Sequence, residues 1–322
     1  MGKIVCIGHA VVDVLLEGLD LKNGIDKSKF DREFLQLSGI TISTGGDAVN
    51  EAIVLGRMGS EVSLIVGLGR DKGGLMIANV AEQAGVNTEQ IVWDENGKTQ
   101  NNILVIQKDK EKYFFCEPTQ NSGRLKPNIK MFEGASIVIL ASLFYPPFDY
   151  PEIVKETIQM AKASGAIVCA DVNIGKNSNL KDVEMHEALG GLDYIFPNEE
   201  EAFRITGEKE LSTQAERLLA CGIKNVIIKL GANGNYFRNS IGEKTYPAFK
   251  GEMVDATGAG DSFLAGFAYG LSQNRSLDDC FKIAAATGLI AVESVGATDG
   301  IKSLQTVKDA LKKNNITLED SI

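Results

Sequence analysis

With His9 and His186 as its histidines, the chain must draw on carboxylates, lysines and backbone amides for most proton transfer and metal coordination. A His-rich metal centre is excluded, and a Ser-His-Asp triad is disfavoured. The segment richest in chemistry is Val254-Asp255-Ala256-Thr257-Gly258-Ala259-Gly260-Asp261-Ser262-Phe263. Its small residues let the backbone approach a ligand, and they run into a helical pattern carried by Phe263, Phe267 and Leu271. The first-turn N–H groups of such a helix lack intrahelical partners, so they suit an anion. A carboxylate at Asp261 would repel that anion unless it had separate work. General-base catalysis is such work: Asp261 accepts the proton of an attacking hydroxyl while the amides stabilise a transferred phosphoryl group. By themselves, the same residues fit a plain helix start capped by Asp equally well.

Other segments join turns to polar side chains. Gly45-Gly46-Asp47-Ala48-Val49-Asn50-Glu51-Ala52 is a second glycine turn entering a helix, with Asn50 facing the same end. Asp13 follows the first apolar run. Asn198-Glu199-Glu200-Glu201 follows Pro197 at a strand end, where adjacent Glu residues ordinarily complement a helix dipole. Lys229-Leu230-Gly231-Ala232-Asn233-Gly234 closes the β-rich run Val226-Ile227-Ile228, and an ordinary turn has the same composition.

The elements that must position these residues follow a βαβ rhythm. Lys3 to Val12 reads as a buried strand, Glu51 to Met58 as helix, Val62 to Gly67 as strand and Gly73 to Gln83 as helix. The rhythm returns with strand Ser136 to Leu140, helix Ile153 to Ser164, and strands Ala166 to Ala170 and Tyr194 to Phe196. A mostly parallel sheet follows. Between the blocks, Ile91 to Trp93, Ile103 to Gln107 and Tyr113 to Cys116 read as short strands joined by polar turns. With the segment after Asp13 they predict a small separate sheet, a natural lid.

The pair G-G-x-x-x-N near the front and D-x-T-G-A-G-D near the back resembles the ribokinase-like, or PfkB, carbohydrate kinases, in that family's order and over nearly the whole chain. The resemblance implies an α/β fold: a three-layer α/β/α sandwich with a mostly parallel central sheet and a β-sheet lid. Residues 1–322 then form a single ribokinase-like domain, its lid built from segments at about 14–44 and 91–116. It also implies transfer of the ATP γ-phosphate to a sugar-type hydroxyl. Asp261 becomes the base, and Gly258, Ala259 and Gly260 the anion hole. Asp13, Gly45, Gly46 and Asn50 become substrate contacts, with Asn102 in the lid as a further candidate. Asn198 and Glu201 match the family's N-x-x-E motif near Mg2+ and the phosphates. Lys229, Gly231 and Gly234 match its nucleotide loop, and Asp255 lies near a monovalent-cation site, K+ being the candidate. The Ala-rich stretch from Ala284 would wall the adenine, with Ala285 where relatives often carry Asn. Asp71 and Gly74 match G-x-D-x-x-G.

On the substrate side, Asp47 stands where ribose-specific relatives carry Lys, and Leu143 near where an acid is expected, which points away from ribose. Asp171-Val172-Asn173 resembles a D-x-N-x-R pattern, but Gly175 replaces the Arg and Lys176 follows. With Asn101 and Asn102 able to hydrogen-bond hydroxyls, the expected substrate is a small neutral sugar or polyol. A nucleoside kinase of the same family and a catalytically silent sugar sensor are the alternatives.

Several classes are excluded. The formal charge of -10 opposes nonspecific binding to nucleic acid or anionic lipid. Gly67-Leu68-Gly69-Arg70-Asp71-Lys72-Gly73 brings its third glycine one residue late for a dinucleotide fingerprint, and Gly97-Lys98-Thr99 has Val92 where a P-loop needs glycine. The five dispersed cysteines show no C-x-x-C spacing, which predicts a reducing, cytoplasmic setting. Position 6 is Cys, against a myristoylation signal, and Ile137 to Phe148 is too short to span a bilayer. Exposed strand edges of the lid, with Ile103, Val105 and Phe115, predict a homodimer through it.

Overall fold

The computed structural model describes residues 2–19, 37–107, 112–117, 125–174 and 183–319. The chain enters through β1 (Lys3–Gly8), turns into β2 (Val11–Glu17) and β3 (Gly39–Gly45), and continues as α1 (Asp47–Arg57). β4 (Val62–Gly69), α2 (Lys72–Gln83), β5 (Val86–Asn87) and β6 (Val92–Asp94) complete the first block. β7 (Asn101–Ile106) and β8 (Lys112–Cys116) precede β9 (Ala135–Leu143), α3 (Pro151–Ala163) and β10 (Ile167–Val172). Then come α4 (Val183–Ala188), β11 (Tyr194–Phe196), α5 (Glu199–Thr206), α6 (Leu211–Ala220) and β12 (Asn225–Lys229). β13 (Asn235–Asn239), β14 (Glu243–Tyr246), α7 (Ala259–Ser272), α8 (Leu277–Val292) and α9 (Leu304–Lys313) close the chain.

Apolar runs without polar alternation become central strands because helices cover both faces of the sheet. In β1, Ile4 and Cys6 enter one core, and Val5 and Ile7 the other. β9 divides the same way, Ile137 and Ile139 against Val138 and Leu140. One core is closed by α1, α2, α7, α8 and α9, the other by α3 to α6, giving three layers. The sheet order is β14-β13-β12-β11-β10-β9-β1-β4-β5, parallel except for the β12-β13-β14 edge. The chain builds outward from β1 through β4 on one side and through β9 and β10 on the other. Strand ends beside that reversal are where open α/β sheets bind ligands.

The small sheet has the order β3-β2-β7-β8, with β2 and β7 parallel and its other pairs antiparallel. The expected lid segment 91–116 divides. Val92–Asp94 runs parallel to β4, Gly67 opposite Val92, and so joins the main sheet rather than the lid. Short apolar strands look alike in sequence, and the partner that decides lies outside the segment. Much of the expected 14–44 segment, residues 20–36, lies outside the described residues, as do Gly175 and Lys176.

Candidate active site

The turn before Asp261 is set by Gly258. This N-cap of α7 has φ 73, and a Cβ there would lie 2.3 Å from the Ala297 carbonyl oxygen. Only glycine fits such a left-handed, crowded position without strain. No side chain caps α7, so the Asp-cap alternative does not hold; the Ala259 N–H donates to the Ala256 carbonyl over 3.3 Å, which leaves the amides of Gly260 and Asp261 for a ligand. Rings hold the helix in place: Phe267 packs edge-on against Phe196 of β11 at 5.2 Å and against Phe281 of α8 at 5.2 Å. Gly260 and Asp261 therefore face a cavity of about 580 Å³ at the carboxyl ends of β10, β11 and β12.

Lys229, at the end of β12, reaches under this turn. A Cβ on Gly260 would lie 3.0 Å from its Nζ, which donates to Asp171 Oδ1 over 2.7 Å. Burial favours the neutral amine, but Asp171, Glu201 and Asp261 outweigh it and hold the ammonium charged. Asp171 is pushed up by burial against the pull of Lys229. Asp261 is also raised, first by burial and then by Asp47 and Asp171, while Asn50 and Lys229 oppose the shift. Asn50 Nδ2 donates to Asp261 Oδ2 over 2.7 Å.

On the lid, register places Asp13 between Ser43 and Asn102. Asn102 Nδ2 donates to Asp13 Oδ1 over 3.3 Å, and Gly45 leaves the room that Asp13 Oδ2 occupies. Gly46, at φ 94, lets α1 begin against the backbone of His9 and Ala10. Burial pushes the Asp13 carboxyl up, and the Asn102 bond partly offsets this. Asn101 does not join the group: strand alternation turns it to the other face, where it donates to Glu117 and the Thr99 carbonyl.

On the opposite wall lie Gly231 and Gly234 with Ala285, Gly288 and Leu289 of α8, a surface of small and apolar groups fit for a flat base. Asn198 and Glu201 make reciprocal capping bonds at the start of α5: the Glu201 N–H donates to Asn198 Oδ1 over 2.8 Å, and the Asn198 N–H to Glu201 Oε2 over 2.7 Å. Burial pushes the Glu201 carboxyl up to about 7. Glu199 and Glu200 are exposed, as solvated charges should be. Asp255 accepts from the Thr257 N–H and hydroxyl and from the Gly296 N–H, tying its turn to the loop after α8. Asp71 caps α2, accepting from Gly74 N–H and Thr99 N–H, and so pins the lid's base rather than entering the cavity.

A divalent cation fits this donor set. Asp47, Asp171, Glu201 and Asp261 line one cavity in which Lys229 is the sole cation among the described lining residues. No cluster of His, Cys, Asp and Glu among the described residues makes a complete metal cage. Mg2+ needs none, since it binds one or two carboxylates beside phosphates and keeps its waters.

A sequence profile described as pfkB family carbohydrate kinase matches residues 1–304. The chain belongs to this family. The kinase is similar to the ribokinase of Schizosaccharomyces pombe, 26% identical over 292 residues, which cover 86% of this chain and 89% of that one. Its fold is similar to that of Arabidopsis thaliana ribokinase complexed with ribose and ATP, at TM-score 0.79 and 22% identity over 97% of this chain and 99% of the other. It is likewise similar to a putative ribokinase II of E. coli in complex with ATP and Mg2+, at TM-score 0.81 and 20% identity over 97% and 100%. Among the described residues, no helix of the kinase is long and apolar enough to cross a membrane.

Four groups at the site went unassigned in the sequence. Ser142, at φ 68, donates Oγ to Asp47 Oδ2 over 2.6 Å, while its neighbour Leu143 is buried in the core. Glu51 is fully buried, and neither carboxylate oxygen has a hydrogen-bond partner. His9 packs edge-on against Tyr145 at 4.9 Å, and burial lowers its imidazole to about 4. Gln100 Nε2 donates to Asn102 Oδ1 over 3.2 Å, backing the lid contact to Asp13. Only Glu51 carried a sequence signal, a charge on the apolar face of a helical pattern.

Proposed function

We propose that the chain transfers the γ-phosphoryl group of ATP to a hydroxymethyl of a small neutral sugar or polyol, with Asp261 as general base. The observation that carries this reading is the placement of Asp261 on an uncapped, glycine-built helix start, in one cavity with Lys229 and the Gly231–Gly234 loop. Asp13, Asn50 and Asn102 hold acceptor hydroxyls under the lid, with Gly45 and Gly46 shaping the turn beneath them. Asp261 takes the proton of the attacking hydroxyl through the oxygen that Asn50 leaves open. The Gly258-Ala259-Gly260 turn, through the amides of Gly260 and Asp261 and with Lys229 close by, offsets charge on the transferring group. Mg2+ bound with ATP would neutralise phosphate charge on the Glu201 side. The E. coli relative that holds ATP and Mg2+ supports this cofactor set.

Residues 1–322 act as one ribokinase-like unit, and the free, dispersed cysteines support a cytoplasmic setting. The outer face of the lid supports a homodimer. Ile42, Val14, Ile103 and Phe115 form one cross-strand row, with Ile42 60%, Ile103 40% and Phe115 51% exposed. A second copy is the natural cover for such a row. Light scattering should give twice the chain mass, and Ile42→Glu should shift it toward the monomer.

ADP release across pentoses, hexoses, sugar acids, phosphosugars and nucleosides tests the function. Ribose heads the panel because relatives are ribokinases. Selective turnover of a neutral sugar is expected. Preference for a nucleoside would favour the alternative kinase, and binding without ADP release would favour a sensor.

A further inference from the structure

Asp47 opens α1 where the acceptor side of the cleft meets the phosphoryl-transfer side. An acid in the first turn of a helix ordinarily complements the dipole in solvent. Asp47 is instead built in. Ser142, fully buried at the end of β9, donates Oγ to Asp47 Oδ2 over 2.6 Å, and Asn173, just past β10, donates Nδ2 to the same oxygen over 3.2 Å. Ser142 does so from φ 68, a backbone region that residues other than glycine rarely adopt and that clusters at functional sites. Two neighbouring strand ends thus converge on one carboxylate oxygen, fixing the group beside the cavity it lines with Asp261.

The charge of Asp47 reaches across the whole site. It is among the groups that raise Asp13 on the lid, Glu51 below, and Asp171, Glu201 and Asp261 around the cavity. The one cation among the described cavity residues, Lys229, is already engaged by Asp171. An acceptor carrying its own carboxylate or phosphate would meet Asp47 in a cavity whose one described cation is already engaged.

We propose that Asp47, braced by Ser142 and Asn173, is a specificity-determining residue that admits uncharged acceptors and excludes acceptors bearing a carboxylate or phosphate. The proposal rests on the sugar-kinase reading and deepens it. Selection here works by repulsion as much as by attraction, the usual means of separating ligands of similar shape.

The test is calorimetric binding of matched pairs, an aldose against the aldonate of the same skeleton and a sugar against its phosphate, with ADP release measured on the same panel. Wild type should prefer the neutral member by at least about ten-fold. Asp47→Asn should cut that preference by on the order of ten-fold, chiefly by tighter binding of the acid, because one unit of charge is removed and the hydrogen bonds remain possible. Ser142→Ala, which frees the carboxylate to turn away, should reduce the preference in part. That variant keeps the question answerable if Asp47→Asn folds poorly. An unchanged preference in the variants, an acid bound more tightly than its neutral partner by wild type, or no binding of any pair would overturn the proposal. A preference that falls in Asp47→Asn while no compound releases ADP would leave this role standing and remove the kinase reading. Turnover with an unchanged preference would do the reverse.

Discussion

Asn50 donates its side-chain amide to Asp261 Oδ2 over 2.7 Å, joining α1 to α7 across 211 positions of sequence. The bond lands on the charged form of the Asp261 carboxylate and so opposes the upward pull of burial and of Asp47. It also fixes which oxygen remains for an incoming proton. Asn50→Leu should therefore move the acid limb of the pH–rate profile upward by about one to two pH units, since hydrogen bonds to charged groups contribute roughly 1.5–3 kcal/mol. Turnover lost near neutrality should return as pH rises. An unshifted profile would separate Asn50 from the base.

Gly258→Ala should damage the anion turn directly. The new Cβ would meet the Ala297 carbonyl, and φ 73 adds about 1–2 kcal/mol of backbone cost. ATP affinity should fall at least about ten-fold, with a drop in melting temperature. Gly242→Ala is the control, because a Cβ there meets nothing within 4 Å. Equal behaviour of the two variants in an ATP-binding titration would contradict the role of the turn.

Glu51 gives a pH signature in stability. Burial first, then Asp171, Asp261 and Asp47, push its carboxyl well above the usual 4.5. The native state then keeps a proton that the unfolded chain has released, so the native state binds more protons and stability falls as pH rises past that usual value. Glu51→Gln keeps the shape and removes the titration. Its stability relative to wild type should climb as pH rises past that usual value, by up to about 1.4 kcal/mol per pH unit. Urea denaturation at several pH values reads this, and a difference independent of pH would contradict it.

Much of the frame was legible from local pattern. The unalternating run at β1 announced a strand buried on both faces, and Gly258 to Asp261 announced a glycine-built helix start, although whether Asp caps it or leaves it open is decided only by the fold. Asn198 and Glu201 were legible as a pair, although their capping bonds show the spacing serving the helix as well as the cavity. Other features depend on partners far away in sequence. Val92–Asp94 has the composition of a lid strand, and only its pairing with β4 places it in the main sheet. Asp47 stands out in the sequence only against the Lys of ribose-specific relatives, and its hold by Ser142, 95 positions on, is visible only in the fold. Asn101 and Asn102 are chemically identical, and the register with Asp13 alone separates them.

The measurement that bears most directly on the account is turnover by Asp261→Asn, taken with its ATP affinity. A positioned base contributes on the order of a hundred- to ten-thousand-fold, so the rate of ADP release with the best panel sugar should fall by at least about a hundred-fold. ATP binding should be retained or tightened, because a like charge beside the phosphates is removed while the amides of α7 stay in place. Near-normal turnover in Asp261→Asn would contradict the assignment of the base and with it the mechanism built on that turn.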